Sequence, residues 1–216
     1  MKKIAVLISG SGSNLEAIIS ACNLDNINGE IICVISNNQD AYGLKRAHKY
    51  NLKTKVIRHE DYLKRDDFDI ALDKYLSKLN LDLIILAGFM RILGKDITEK
   101  YAGKMINLHP SLLPLYPGLD THKNAILNKD KIHGISIHYV SAELDAGPLI
   151  AQGIIEVKKK ENIEKLIERI HKIEHLLLPE VIAEICKENI SLENGQVSYK
   201  KVGNIINGIL VKNYDL

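Results

Sequence analysis

The sequence predicts an α/β fold built on a mostly parallel, twisted sheet with helices on both faces. Three observations predict it: short apolar runs alternate with segments of helical period, a glycine-rich turn follows the first apolar run, and residues 81–88 are apolar almost throughout. The alternation indicates βαβ units, and a nearly continuous apolar run indicates a strand covered on both faces. The expected architecture is therefore Rossmann-like, with the strand at 81–88 near its centre.

The individual elements follow from the same periodicities. Strands are expected at residues 4–9, 30–37, 53–58, 81–88, 105–108, 134–140 and 149–157. Helices are expected at 14–22, 41–50, 66–79, 97–101, 121–127 and from 162 to about 187, where one face is apolar and Pro179 is expected to introduce a kink. A turn signal at 193–196 indicates a short hairpin. We expect one domain at residues 1–190 and a short extension at 191–216 packed on it.

Composition excludes several classes of protein. The chain has 216 residues with 46% hydrophobic content, and its 29 basic and 27 acidic side chains nearly balance, without the basic excess typical of nucleic-acid binding. The three cysteines lack metal or disulfide spacing, and no pair of histidines has the spacing of a metal site, so no metal is expected. No apolar run has the length of a signal peptide or a membrane span. We expect a cytoplasmic protein without nucleic-acid or membrane partners, either a monomer or a weak homodimer.

A loop of small residues, Ser-Gly-Ser-Gly-Ser-Asn at 9–14, follows the first strand and precedes a helix. Free amides at a helix N-terminus favour an anion such as phosphate. A dinucleotide site is disfavoured because Leu15 stands where the third glycine of that motif belongs, and because no acidic residue ends the second strand. A purely structural interpretation stays open, in which Ser13 or Asn14 only caps the helix.

Three polar residues are candidates for catalysis. Asn107 and His109 lie two residues apart on a predicted strand, so their side chains project to the same side, and Asp145 lies in a turn after the next strand. An amide can donate to an oxyanion, an imidazole can transfer a proton near neutral pH, and a carboxylate can stabilise the imidazolium. Together they suit acyl transfer without a covalent protein intermediate. Asp145 could instead serve only as a turn former or a helix cap.

Glu174 is unusual because it falls within the apolar face of the last helix. Buried carboxylates are rarely unpaired, so it should meet a protein cation, such as Arg169 or Lys172, or a ligand amine.

Four separated segments, residues 9–14, 86–93, 107–118 and 134–147, together give the chain a specific resemblance. It resembles the folate-dependent formyltransferase family, and within it the phosphoribosylglycinamide formyltransferases, also called glycinamide ribonucleotide transformylases, from Lys3 to about Glu188. The resemblance implies the formyltransferase fold, with a catalytic domain at 1–190. It implies transfer of a formyl group from the co-substrate 10-formyltetrahydrofolate to the amine of glycinamide ribonucleotide, a step of purine biosynthesis.

The resemblance also implies the site residues. Asn107 and His109 would stabilise a tetrahedral intermediate, with His109 as proton donor and Asp145 supporting its protonated form. The residues implied for the ribonucleotide are Gly12, Ser13, Asn14, His171, Lys172, Ile173 and Glu174. Those implied for the folate are Arg65, Met90, Arg91, Ile92, Leu93, Asn107, Ser141, Ala142, Glu143, Leu144 and Asp145. The chain departs from the family at His171 and Ile173, where glutamine is expected.

Other functions compete with this one. Methionyl-tRNA formyltransferases and formyltetrahydrofolate hydrolases share the three catalytic groups but carry further domains, for which we expect no room here. A sugar-nucleotide N-formyltransferase uses the same donor and stays open as an alternative. A nucleotide-binding module without activity is disfavoured because all three catalytic groups are present.

Overall fold

A computed structural model describes residues 1–216 and contains eleven strands and six α-helices. The strands are β1 (Lys2–Ile8), β2 (Gly29–Ser36), β3 (Thr54–Val56), β4 (Leu83–Leu86), β5 (Met105–His109), β6 (Ile132–Tyr139), β7 (Leu149–Glu156), β8 (Ile190–Glu193), β9 (Gln196–Tyr199), β10 (Ile205–Ile206) and β11 (Ile209–Asn213). The helices are α1 (Ser13–Asn23), α2 (Tyr42–Lys49), α3 (Arg65–Leu76), α4 (Lys95–Lys100), α5 (Thr121–Leu127) and α6 (Ile163–Cys186).

Nine strands form one sheet in the order β10-β11-β7-β6-β5-β4-β1-β2-β3. Strands β1 to β5, β7 and β11 run in the same direction, whereas β6 and β10 are antiparallel to their neighbours. The mostly parallel sheet predicted from the sequence is confirmed. After β1 the chain builds β2 and β3 on one side and β4 on the other, so the strand order reverses between β1 and β4. Open α/β sheets bind ligands outside the carboxyl ends of their strands at such a point.

The central strands are apolar on both sides because both faces of the sheet are covered. Ile4, Val6 and Ile8 of β1 pack in the cluster formed with α1, α2 and α6, while the alternating Ala5 and Leu7 pack in the cluster formed with α3 and α4. All four residues of β4 are buried, and β4 lies next to the middle strand of the sheet, as predicted from the apolar run at 81–88. Each large side chain buried this way contributes about 1.5–3 kcal/mol to stability.

The C-terminal residues form more structure than the sequence indicated. The predicted hairpin is present as β8 and β9, a separate two-stranded sheet. The chain then returns to the main sheet, where β11 pairs in parallel with β7 and Leu210 is buried. This pairing joins residues about sixty positions apart, which local periodicity does not reveal. The boundary at residue 190 therefore stays a prediction.

Pro179 lies inside α6, which continues to Cys186. None of the helices is both long and apolar enough to cross a membrane.

Candidate active site

A cavity of about 950 Å³ opens at the carboxyl ends of β1 and β4, where the strand order reverses. Its walls come from five regions of the chain: the glycine loop after β1, the segment after β4, the end of β5 with the loop that follows, the end of β6 with its loop, and the first half of α6. The three catalytic candidates and most of the predicted binding residues meet there. The lining residues among them are Gly12, Ser13, Asn14, Met90, Arg91, Ile92, Leu93, Asn107, His109, Ser141, Glu143, Leu144, Asp145, His171 and Glu174.

The glycine loop leaves the first amides of α1 without a side-chain cap. Gly12 precedes the helix with φ of 71°, a left-handed conformation, and no side chain hydrogen-bonds to the helix start. The interpretation in which Ser13 or Asn14 caps this helix is therefore wrong. Gly12 also lies against α2, because a Cβ atom at this position would stand 2.5 Å from the Cα of Gly43. The loop thus presents free backbone N–H groups to the cavity, an arrangement that suits an anion.

Asp145 connects the catalytic candidates. One oxygen, Oδ2, lies 3.3 Å from Nδ1 of His109 and accepts a 2.8 Å hydrogen bond from the amide of Gly118. The other, Oδ1, accepts a 3.4 Å hydrogen bond from Nδ2 of Asn107. His109 and Asp145 are both largely buried, with side chains 6% and 9% exposed. Asp145 therefore acts neither as a helix cap nor only as a turn former.

Both ring nitrogens of His109 face hydrogen-bond acceptors. Its Nε2 lies 2.8 Å from the backbone carbonyl oxygen of Tyr116, which can only accept a hydrogen bond, so this nitrogen carries a proton. Its Nδ1 faces the carboxylate of Asp145, which also accepts. Two acceptors thus face two ring nitrogens, and the imidazolium is the form that can donate to both.

Asp145 stays ionised despite its burial. Desolvation is the largest single influence and acts to raise its pKa, but His138, the amide of Gly118 and His109 together outweigh it and leave the pKa below the ordinary value. The carboxylate is therefore charged at neutral pH and can stabilise a cationic His109.

His138 belongs to this site, although the sequence offered little reason to choose it. Its Nδ1 lies 2.9 Å from its neighbour's carbonyl oxygen, Tyr139 O, and its Nε2 lies 3.1 Å from Nδ2 of Asn107 and 3.7 Å from Oδ1 of Asp145. The antiparallel pairing of β5 with β6 places His138 directly beside Asn107. This contact orients the Asn107 amide with its NH₂ group toward Asp145. The only available signal was the position of His138 on a strand beside β5.

Glu174 is 6% exposed and is not paired with a cation. Its Oε2 accepts a 2.9 Å hydrogen bond from Nδ2 of Asn14, so the helix α6 and the glycine loop are joined through this pair. Arg169, one of the two cations considered as its partner, instead forms a salt bridge with Glu161. Burial raises the pKa of Glu174, while Asn14 and the charge of His171 oppose the shift. The carboxylate is available for a ligand that supplies hydrogen-bond donors.

The segment between β4 and α4 offers backbone groups to a ligand. Neither the N–H nor the C=O groups of Arg91, Ile92 and Leu93 make a hydrogen bond within the protein. Four other predicted residues do not line the cavity. Lys172 and Ala142 are exposed outside it, Arg65 lies near Gly94, and Ile173 is fully buried in the core. The expectation that the Ile173 side chain contacts the ribonucleotide is thus corrected, because the helix turns it toward the sheet.

Two neighbouring histidines, of which His122 lines the cavity and His133 is fully buried behind it, predict a loss of stability in acid. Nδ1 of His122 and Nε2 of His133 are 3.0 Å apart, and burial lowers the pKa of each to about 4. The folded protein then binds fewer protons than the unfolded chain between pH 6.5 and about 4. Stability is therefore complete above pH 6.5 and falls as the pH drops toward 4, by up to about 3 kcal/mol for each histidine.

Urea unfolding at pH 7 and pH 4.5 measures this loss. The variant His122→Asn should depend less on pH over this range, and the exposed His48→Asn should behave like the unmodified protein. If the free energy of unfolding fell equally between the two pH values in all three proteins, His122 and His133 would not be the source of the loss.

No group of three or more histidine, cysteine or acidic residues comes together in a way that could hold a metal ion.

Comparisons with known proteins agree with this geometry. A family model described as formyl transferase matches residues 2–182. The chain is 41% identical to the phosphoribosylglycinamide formyltransferase of Haemophilus influenzae over 194 residues, which cover 90% of this chain and 92% of that protein. It is 43% identical to the Escherichia coli enzyme of the same name over 180 residues, 83% of this chain and 85% of the other.

Solved structures extend the similarity to three dimensions. The solved structure of the phosphoribosylglycinamide formyltransferase of Coxiella burnetii superposes with a TM-score of 0.88 at 45% identity, covering 92% of this chain and 93% of that one. Family model, relatives and structure agree over most of the length of the chain. The chain therefore belongs to the formyltransferase family, and within it to the phosphoribosylglycinamide formyltransferases.

Proposed function

We propose that this chain transfers the formyl group of 10-formyltetrahydrofolate to the amine of glycinamide ribonucleotide. The observation that carries the proposal is the convergence of Asn107, His109 and Asp145 in one cavity that also contains an uncapped helix N-terminus. The names of the closely related enzymes support the choice of this acceptor. The products would be formylglycinamide ribonucleotide and tetrahydrofolate.

The proposed reaction needs no covalent intermediate with the protein. The acceptor amine attacks the formyl carbon, a C–N bond forms, and negative charge develops on the formyl oxygen. The tetrahedral intermediate then collapses with cleavage of the bond to N10 of the folate, which takes a proton as it leaves, while the attacking amine loses one. The protein must therefore stabilise an oxyanion and move a proton.

The three central residues can perform these tasks. The NH₂ group of Asn107 lies at the centre of the site, and it would donate to the oxyanion by releasing its 3.4 Å hydrogen bond to Asp145, the longer of its two. His109 would supply a second donor and the proton for the leaving nitrogen from Nε2, whose hydrogen bond to the Tyr116 carbonyl would give way to the substrate. A charged donor in a buried site stabilises developing negative charge more strongly than it would in water.

The two substrates would occupy opposite ends of the cavity. The phosphate of the ribonucleotide would bind the amides of Gly12, Ser13 and Asn14, and the neighbouring Glu174 would accept hydrogen bonds from the rest of that substrate, near His171. Lys172 does not line the cavity, so it would not contact the ribonucleotide from within it. The unpaired backbone groups of 91–93 would bind the edge of the folate's pterin ring.

Two further regions would complete the folate-binding site. Ser141 and Glu143–Asp145 line the same cavity as Met90–Leu93, and the side chain of Leu144 adds apolar surface. Arg65, at the edge of this region, carries a positive charge suited to the carboxylates at the far end of the folate.

A spectrophotometric assay of tetrahydrofolate release tests the function. Release that requires glycinamide ribonucleotide would support the proposal. Release with donor and water alone would instead indicate a hydrolase. Release only with an amino-sugar nucleotide would favour the sugar-nucleotide N-formyltransferase, and absence of turnover with all acceptors would refute the proposal.

Gly12→Ala tests the proposed phosphate loop. Alanine is strained at a φ of 71°, and its Cβ would collide with the backbone of Gly43, so the loop must shift. We expect KM for the ribonucleotide to rise at least about tenfold and stability to fall by about 1–3 kcal/mol. Steady-state kinetics and urea unfolding measure both effects.

Gly10→Ala is the matched control for folding. No atom lies within 4 Å of a Cβ at Gly10, so this variant should keep its stability. An unchanged ribonucleotide KM in Gly12→Ala would count against phosphate binding at this loop.

A further inference from the structure

A fully buried serine outside the predicted site is hydrogen-bonded to the loop that contacts the catalytic pair. The Oγ of Ser136, on β6, accepts a 3.0 Å hydrogen bond from the amide of Leu113 and donates a 2.7 Å bond to the carbonyl of Ser111. The loop of residues 111–118 follows His109 directly. Ser136 thus holds two backbone groups at the start of this loop.

Gln152 reinforces the same contacts from the next strand. It lies on β7 directly opposite Ser136, and its Nε2 donates to Ser136 Oγ at 3.0 Å and to the carbonyl of Leu113 at 2.8 Å. With these bonds the Ser136 hydroxyl uses its one proton and both lone pairs. A buried network in which every group is paired holds its geometry well.

The far end of the loop supplies the groups that touch the catalytic residues. The Tyr116 carbonyl accepts from Nε2 of His109, and the Gly118 amide donates to Oδ2 of Asp145. Both are backbone groups, so their positions depend entirely on where the loop lies. Neither Ser136 nor Gln152 lines the cavity itself.

We propose that Ser136 and Gln152 are positioning residues, which fix the 111–118 loop so that its backbone holds His109 and Asp145 in the geometry for formyl transfer. The inference rests on the proposed function for its kinetic consequences. It concerns residues that would contact neither substrate. Misplacing catalytic groups by about 1 Å can cost about a hundredfold in rate.

The test compares Ser136→Ala and Gln152→Leu with Tyr199→Phe. The control also removes a hydrogen bond to a strand carbonyl, from the Tyr199 hydroxyl to Ile150 O at 2.6 Å, without contacting the loop. We expect kcat to fall about tenfold to a hundredfold in the first two variants, with KM for both substrates changed less than about threefold. Tyr199→Phe should lose about as much stability as the other two variants but keep its kcat unchanged.

Two further readouts separate positioning from general destabilisation. Because the Gly118 amide helps to lower the pKa of Asp145, the acid limb of the kcat profile should move to higher pH in both loop variants and not in the control. The amides of Leu113 and Gly118 should also exchange with deuterium at least about tenfold faster.

The outcomes decide between the possibilities. A kcat within twofold of the unmodified protein, or a fall in kcat with an unmoved acid limb, would overturn the proposal. If the unmodified protein makes no formylated product, the proposed function fails instead. In that case the deuterium exchange of Leu113 and Gly118 still decides whether the two residues hold the loop.

Discussion

Replacing His109 by alanine is expected to lower kcat for formyl transfer about a thousandfold. The variant loses the protonated ring that contacts Asp145 and with it the donor for the oxyanion and the leaving nitrogen. General acid catalysis by one group accounts for about 10²–10⁴ in rate. KM for the folate should change little, because the proposed folate contacts come from other residues. Steady-state and single-turnover kinetics at saturating substrates measure the loss.

His48→Ala provides the matched control for this experiment. His48 is exposed on α2, and its ring lies within hydrogen-bond distance of the Thr54 hydroxyl, at 3.1 Å. Its removal should leave kcat unchanged. Should His109→Ala retain more than about a tenth of the activity, His109 would not be the proton donor.

Asp145→Asn is expected to lower kcat about a hundredfold with little change in the fold. The substitution keeps the shape of the side chain but removes its charge and replaces one acceptor oxygen with an NH₂ group. Oδ2 accepts from Gly118 and faces His109, while Oδ1 accepts from Asn107, so an amide in either orientation loses at least one of these contacts. The imidazolium of His109 then loses its stabilising charge.

The double variant tests whether the two residues act together. If Asp145 acts through His109, then His109→Ala with Asp145→Asn should be about as slow as His109→Ala alone. Effects that multiply would instead indicate that the carboxylate has an independent role. Circular dichroism and urea unfolding would show whether either variant is destabilised enough to account for lost activity.

The sequence predicted most strands and helices of the main sheet because each element carries a local signal. An apolar run with turns at both ends predicts a strand, and a period near 3.6 predicts a helix. The helix predicted at 121–127 has the same bounds in the structure, and most other elements differ by a few residues at their ends. The strands β10 and β11 were missed because β11 is stabilised by pairing with the distant β7.

In the site, too, local sequence patterns predicted some residues, and contacts between distant parts of the chain decided others. Asn107 and His109 could be predicted together because alternate residues of a strand share a face, and Glu174 because it interrupts an apolar stripe. His138 could not be identified as a site residue from the sequence, because only the antiparallel β5–β6 pairing places it beside Asn107. Ile173 was misplaced because adjacent helical residues point about 100° apart, and the packing of α6 decides which one faces the ligand.

By itself the sequence determined the type of fold, the glycine loop and the three polar groups that suit formyl transfer. These depend on residue type and on spacing within one strand or turn. Only the tertiary structure decided which groups pair with them: the Tyr116 carbonyl with His109, the Gly118 amide with Asp145, and Asn14 with Glu174. Backbone groups are the same in every residue, and hydrogen bonds act over about 3 Å, so such partners are defined by how the chain folds in space and not by its order.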